Sequence, residues 1–322
     1  MASSAAPRSG GRSGPVGAAL DLLGDRWTLL ILRDVFPTGS HRYHQWRDDL
    51  DISDAVLSGR LRDLLASEVL ARQPYGDHPP RLEYHLTERG LDLWRVLLAV
   101  WAWESQWVAK SLDADVGLRH LGCERDMVPF LACRGCGGPV TLWDITTEVS
   151  ESGWRWLASP DVAQARRRSS SRAAIGDAAI FRRETVSILG DRWSSTVIAL
   201  AFLGVRRFTD FERTVAVSPA VLADRLRSLT RLGVLDVVPV REHGRRKEYR
   251  LTPKGLAFFP VVVLVLDWAD RWLAGEPNRS LEITHRSCAA VLRPGLGCGA
   301  CGEQLEREAV RFHDRAAPAP AR

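Results

Sequence analysis

Apolar residues at helical spacing open the chain. Val16, Leu20, Leu23, Trp27, Leu30 and Ile31 predict one amphipathic helix over 16–32. A short helix is expected over 43–50. Ser53 then reads as the N-cap of a third helix, whose Leu57, Leu61 and Leu64 fall on one face. Strand-like runs at 69–74 and 81–86 flank a turn-rich stretch at 75–80. Thr87 reads as the cap of a long last helix carrying Trp94, Trp101, Trp103 and Trp107.

The same pattern then returns. Leu23-Gly24-Asp25-Arg26-Trp27 recurs as Leu189-Gly190-Asp191-Arg192-Trp193, 166 positions on. From Ala55-Val56-Leu57 and Ala220-Val221-Leu222 onward the offset is 165, so one residue is lost between the two blocks. That register holds through Leu86-Thr87 and Leu251-Thr252, Gly90 and Gly255, Trp103 and Trp268, Trp107 and Trp272, and every cysteine. The chain is an internal duplication, each copy about the size of a small domain. In copy two, Ser218 caps the third helix with Pro219 at its first position, and Gly233 ends it. The paired strands are expected at 234–241 and 247–251.

These readings divide the chain. Residues 1–13 and 314–322 are expected to be disordered ends. Winged-helix units span 14–115 and 177–278, Cys/His modules 116–149 and 279–313, and an Arg/Ser-rich connector 150–176. Trp154, Trp156 and Leu157 suggest that the start of the connector packs on something. The fold class is mainly α with small β-hairpins (α+β). Helix, helix, helix, hairpin, helix is the order of a winged helix-turn-helix domain, here present twice.

Composition adds modest constraints. Of 322 residues, 45% are hydrophobic and 26% charged, which suits a soluble globular protein. The longest apolar stretch, 258–266, contains Pro260 and falls well short of a membrane span. The N-terminus lacks the apolar core of a secretory signal, so a cytoplasmic location is expected. The net charge of +5 permits a polyanionic partner without demanding one.

A helix that reads the major groove of double-stranded DNA must fix its back on a core and leave its front free. The third helix meets that description. Its candidate contact residues are Ser53, Ala55, Ser58, Gly59, Arg60 and Arg62 in copy one. In copy two they are Ser218, Ala220, Asp224, Arg225 and Arg227. The hairpin adds Arg81 in copy one and Arg245, Arg246 and Lys247 in copy two, where phosphate contact would release counterions. The richer hairpin of copy two implies that the copies bind DNA unequally. A winged-helix protein-interaction module without DNA binding is the alternative.

Leu-Gly-Asp-Arg-Trp, the run from Ser53 to Leu64, and Leu86-Thr87-Glu88-Arg89-Gly90 together resemble the HxlR family of bacterial transcription regulators. The resemblance covers roughly 14–110 and 178–275. It implies winged-helix DNA binding and homodimers built mainly from the first and last helices. With two such units in one chain, it implies an intramolecular pseudo-dimer or a dimer of chains. Several members sense oxidants through a cysteine just ahead of the first helix. This chain has Pro15-Val16 and Arg183-Glu184 there, and its first cysteine is Cys123, so that mechanism does not carry over.

All six cysteines belong to one duplicated pattern. His120-x2-Cys123-x9-Cys133-x2-Cys136 matches His285-x2-Cys288-x9-Cys298-x2-Cys301 position for position. Three thiolates and one imidazole suit tetrahedral Zn²⁺, and each copy is expected to hold one structural ion. Glycines beside each Cys-x2-Cys pair let backbone N–H groups turn toward the sulfurs. Redox-switched thiols are the competing reading, which would make the protein a thiol- or metal-responsive sensor.

Catalysis is not expected. Neither histidine begins His-x-Glu, neither Cys-x2-Cys follows a proline, and four protein ligands leave no open metal position. The tryptophans of the last helix, spaced four apart, suit packing. Were they to line a pocket, a small-molecule inducer would be a further partner.

Overall fold

The structure, a computed structural model, describes residues 15–75, 81–108, 116–150, 183–215, 217–240, 246–273 and 281–314. The connector beyond Ser150, both chain ends and the hairpin tips at 76–80 and 241–245 lie outside the described residues. So do Trp154, Trp156 and Leu157.

Copy one opens with two helices, α1 (Pro15–Leu23) and α2 (Arg26–Val35), where the apolar spacing predicts one. The interruption has a local cause. Asp25 adopts extended backbone and its carboxylate accepts hydrogen bonds from the N–H groups of Trp27 and Thr28, both at 3.1 Å. An N-cap of this kind satisfies donors that would otherwise be orphaned at a helix start.

Next come β1 (Ser40–Arg42), α3 (Tyr43–Leu50) and α4 (Asp54–Ala66), then the wing strands β2 (Leu70–Tyr75) and β3 (Arg81–Leu86). Leu57, Leu61 and Leu64 are buried, so α4 lies with its leucine face on the core, as the sequence predicts. Ser53 stands at the N-cap of α4 without making a capping hydrogen bond. Thr87 caps a four-residue helix, α5 (Glu88–Leu91), and the long helix α6 (Trp94–Trp107) starts afterwards. Within α5, Gly90 passes so close to the start of β2 that a Cβ there would lie 2.2 Å from the Val69 carbonyl oxygen.

Copy two repeats the plan. Its helices are α7 (Arg183–Leu189), α8 (Arg192–Phe202), α9 (Phe208–Thr214), α10 (Pro219–Arg231), α11 (Pro253–Leu256) and α12 (Phe259–Trp272). Ser218 does cap α10, accepting from Val221 N at 3.4 Å. Its wing is β8 (Leu235–Pro239) paired with β9 (Lys247–Leu251). In copy one β1 adds a third strand, in the order β1-β3-β2.

The two copies pack on each other reciprocally. α1 lies against α12, α6 against α12, and α2 against α7. Trp103 Nε1 donates to the Lys254 carbonyl at 2.9 Å, and its equivalent Trp268 donates to the Arg89 carbonyl at 3.0 Å. Asp25 forms a β-bridge with Asp191, its own equivalent. Such reciprocity is the mark of a two-fold interface, realised here inside one polypeptide. The tryptophans of the last helices are therefore spent on the interface.

One of two equivalent places in this interface carries a network of four charges. Arg95, 6% exposed, meets Asp92 at 2.6 Å and Asp267 at 3.7 Å. Arg271 meets Asp92 at 2.5 Å and Asp267 at 2.7 Å. Burial raises the pKa of Asp267. For Asp92 the Trp272 indole and the two arginines outweigh burial, and its carboxyl sits below the ordinary range. At the equivalent positions stand Ala257, Pro260, Ala102 and Gln106.

The Cys-bearing stretches are not two separate modules. β4 (Val116–His120) pairs with β13 (Val310–Asp314), β6 (Pro129–Cys133) with β12 (Pro294–Cys298), and β7 (Ile145–Val149) with β10 (Leu281–His285). Each of these pairs joins one copy to the other. Within a copy the two-residue strands β5 (Arg125–Asp126) and β11 (Ala290–Val291) pair with β4 and β10 respectively, and single bridges join Ala132 to Pro139 and Gly297 to Gln304. The stretches are too short to close a core alone and instead share one, with Leu131 opposite Leu296 at its centre.

Candidate recognition surface and metal centres

The third helix of each copy offers part of what the sequence predicts. On α4, Ser53, Ala55, Ser58 and Arg62 are exposed and Gly59 is half-buried. On α10, Ser218, Ala220 and Arg227 are exposed, and Asp224 is half-buried. Arg227 lies 3.5 Å from Asp224 with 67% of its side chain exposed.

Arg60 and Arg225 are placed differently. Arg60 Nε lies 2.7 Å from Asp25, the two side chains only 17% and 15% exposed. Arg225 Nε lies 2.6 Å from Asp191 in the same way. These guanidiniums tie α4 to the N-cap of α2 and α10 to the N-cap of α8, so the Asp of Leu-Gly-Asp-Arg-Trp organises the helix-turn-helix core. Ser58 is also engaged: the Tyr43 hydroxyl lies 3.1 Å from it and 2.8 Å from the Asp54 carboxylate. Copy two has Phe208, Pro219 and Ala223 at those places, and so lacks this polar knot.

On the wings, Arg246 and Lys247 are exposed, whereas Arg245 lies outside the described residues. Arg81 belongs to β3. Sequence reasoning overlooked Arg72 on β2 and Arg206 ahead of α9, both exposed. Arg72 shares a strand face with Leu70 and is exposed because β2 leaves the core along its length, burial falling from Leu70 outward.

The eight proposed metal ligands come together as two clusters, but not copy by copy. His120 and Cys123 converge with Cys298 and Cys301, and His285 and Cys288 with Cys133 and Cys136. Within each cluster all ligand atoms lie within 4.8 Å of one another. The expected grouping of four ligands from one copy is corrected accordingly. The cause is strand pairing. β6 and β12 run antiparallel with Cys133 opposite Pro294 and Cys298 opposite Pro129, so each Cys-x2-Cys turn is delivered to the opposite copy's histidine.

Both histidines are buried and both present Nδ1 to sulfur. His285 Nδ1 lies 3.4 Å from Cys288 Sγ and 3.5 Å from Cys136 Sγ, and His120 Nδ1 lies 3.4 Å from Cys301 Sγ. Cys123 Sγ and Cys298 Sγ are 3.9 Å apart. Gly137 and Gly302 take positive φ (76° and 83°), and their N–H groups bond back to the carbonyls of Cys133 and Cys298. A left-handed residue there turns the chain within each knuckle.

Comparison with known proteins agrees on the two larger units. The family model described as HxlR-like helix-turn-helix matches residues 22–112 and again 188–277. An uncharacterized HTH-type transcriptional regulator of Mycobacterium tuberculosis is 39% identical over 144 residues, which is 45% of this chain and 90% of that protein. The HTH-type transcriptional regulator YodB of Bacillus subtilis is 34% identical over 90 residues, 28% of this chain and 80% of that one. The solved reduced form of YodB is 33% identical, with a TM-score of 0.26, covering 28% of this chain and 89% of its own. Among the described residues, no helix is long and apolar enough to cross a membrane.

Proposed function

We propose, because this chain belongs to the HxlR-like helix-turn-helix family in both of its halves, that it is a regulator binding double-stranded DNA at a specific sequence through α4 and α10 together. The observation that carries this reading is the pair of leucine-backed helices, outward faces free, held by reciprocal packing within one polypeptide. Two equivalent helices related in this way suit a pseudo-palindromic site with half-sites about one DNA turn apart.

The two halves contribute unequally. Arg227, Arg246 and Lys247 of copy two are exposed cations for phosphates or base edges, against Arg62 and Arg72 of copy one. Ala55 and Gly59 offer little hydrogen bonding, so copy one reads shape and backbone more than base edges. Each Cys/His cluster holds one Zn²⁺ in a structural role. With four protein ligands, neither ion has an open position for chemistry on a substrate.

A gel shift with the DNA upstream of the protein's own gene and its neighbours, at two salt concentrations, tests the proposal. One fragment should shift at low protein concentration, with an affinity that falls as salt rises. A chain that binds no fragment above non-specific level even in dilute buffer would instead be a winged-helix interaction module.

A further inference from the structure

We infer that the two Zn²⁺ centres lock the two copies together, each ion being held by a His-x2-Cys arm of one copy and a Cys-x2-Cys knuckle of the other. The inference rests on the zinc reading above and adds who shares each ion and what the sharing does.

The donor atoms already stand at the edges of a tetrahedron. Zn–S bonds of about 2.3 Å and Zn–N bonds of about 2.0 Å place neighbouring donors about 3.8 Å (S to S) and about 3.5 Å (N to S) apart. The separations here are 3.9 Å for Cys123 and Cys298, 3.4 Å for His120 and Cys301, and 3.4 and 3.5 Å from His285 to Cys288 and Cys136. The knuckle is prepared as well: the Ala300 N–H points at Cys298 Sγ at 3.4 Å. Each arm is anchored by a strand of the opposite copy, His120 opposite Val310 on β13 and His285 opposite Ile145 on β7. Two hydrogen bonds between the copies tighten the exchange, the Arg134 N–H donating to the Arg293 carbonyl at 2.7 Å and the Arg125 guanidinium Nη2 to the Ala300 carbonyl at 2.5 Å.

The consequence is specific. A metal inside one copy would stabilise only that copy's short ribbon. A shared metal cross-links positions 175 residues apart and holds the last helices, and through them α4 and α10, in one relative placement. Loss of both ions leaves the helical contacts and the strand pairing between copies as the ties between the halves.

Metal content of paired cysteine variants tests the sharing. The purified wild-type chain equilibrated with Zn²⁺ should carry two ions. Cys123→Ser/Cys301→Ser removes two ligands from one shared centre and should leave one ion. Cys123→Ser/Cys136→Ser removes one ligand from each centre and should leave neither at wild-type affinity. Ligand sets confined to one copy give the reverse pattern, and that result overturns the inference. Cys133→Ser/Cys288→Ser gives an independent reading if another variant does not fold: sharing leaves one ion, separate sites leave none. Cobalt(II) charge-transfer bands should report three thiolates at the surviving centre. A wild-type chain that takes up no zinc would refute the zinc reading itself, which is a different outcome from two ions with the reversed pattern.

Discussion

The indole of Trp272 donates to the Asp92 carboxylate at 2.6 Å, joining the last helix of one copy to the turn that precedes the last helix of the other. At the equivalent place Ala257 stands where the aspartate would be, and the buried N–H of Trp107 has no hydrogen-bond partner among the described residues. One interface thus holds a satisfied and an unsatisfied version of the same contact.

Substituting the two tryptophans should separate these cases. Trp272→Phe removes a charge-assisted hydrogen bond from a carboxylate that keeps Arg95 and Arg271, at a cost of about 1.5–3 kcal/mol. Trp107→Phe removes an N–H that had gained nothing and should cost under about 1 kcal/mol. Urea unfolding of both variants checks the order, and equal losses would show that ring packing alone matters.

Gly24 and Gly190 sit where the copies come closest. A Cβ on Gly24 would lie 2.2 Å from the Leu20 carbonyl oxygen and 3.0 Å from Arg192 Cα, and one on Gly190 would lie 2.9 Å from Arg26 Cα. These obstacles are backbone and cannot swing aside. Gly24→Ala and Gly190→Ala should each destabilise the protein by about 2 kcal/mol or more, read as a fall in Tm. An unchanged Tm would show that the approach of the two copies is looser than described.

Arg60 and Arg227 occupy similar places in sequence and different places in space. Arg60→Ala breaks a half-buried pair with Asp25 and should lower stability by about 2 kcal/mol, less than stripping a fully buried pair. Arg227→Ala should leave Tm nearly unchanged while weakening DNA binding about tenfold. Thermal unfolding and binding isotherms on both variants test the contrast. It fails if Arg227→Ala binds as the wild type does.

Much of this was legible in the residues, and the limits have physical causes. The leucine backs of α4 and α10 follow from a 3.6-residue period that any amphipathic helix must show. The split between α1 and α2 was hidden because Gly24 and Asp25 interrupt an apolar spacing that continues on both sides. Arg60 reads as an outward cation until Asp25 is seen beside it, a contact 35 residues distant in sequence. The ligand exchange was the least legible feature. Duplication gives both copies the same donors at the same spacings, so own and opposite partners look alike. Pairing of β6 with β12 decides between them, with Phe130 opposite Gly297, where a Cβ would come within 2.4 Å of the ring.

Loss of the metals should be felt across the whole molecule. Treatment with a strong chelator should broaden thermal unfolding and lower its midpoint, with Zn²⁺ restoring both. Calorimetry with and without added metal checks this, and identical traces would mean that the ribbons need no ion.

The interleaving of β4, β6 and β7 with strands about 130 to 200 residues later also sets a timetable for biosynthesis. The ribosome releases Cys123 and Cys136 long before Cys298 and His285 exist, so the early thiols must stay reduced and unclaimed while the remainder is translated. Neither half-ribbon of the nascent polypeptide can finish folding until the final segment emerges. A truncated product would therefore leave Cys133, buried in the finished chain, without its cover.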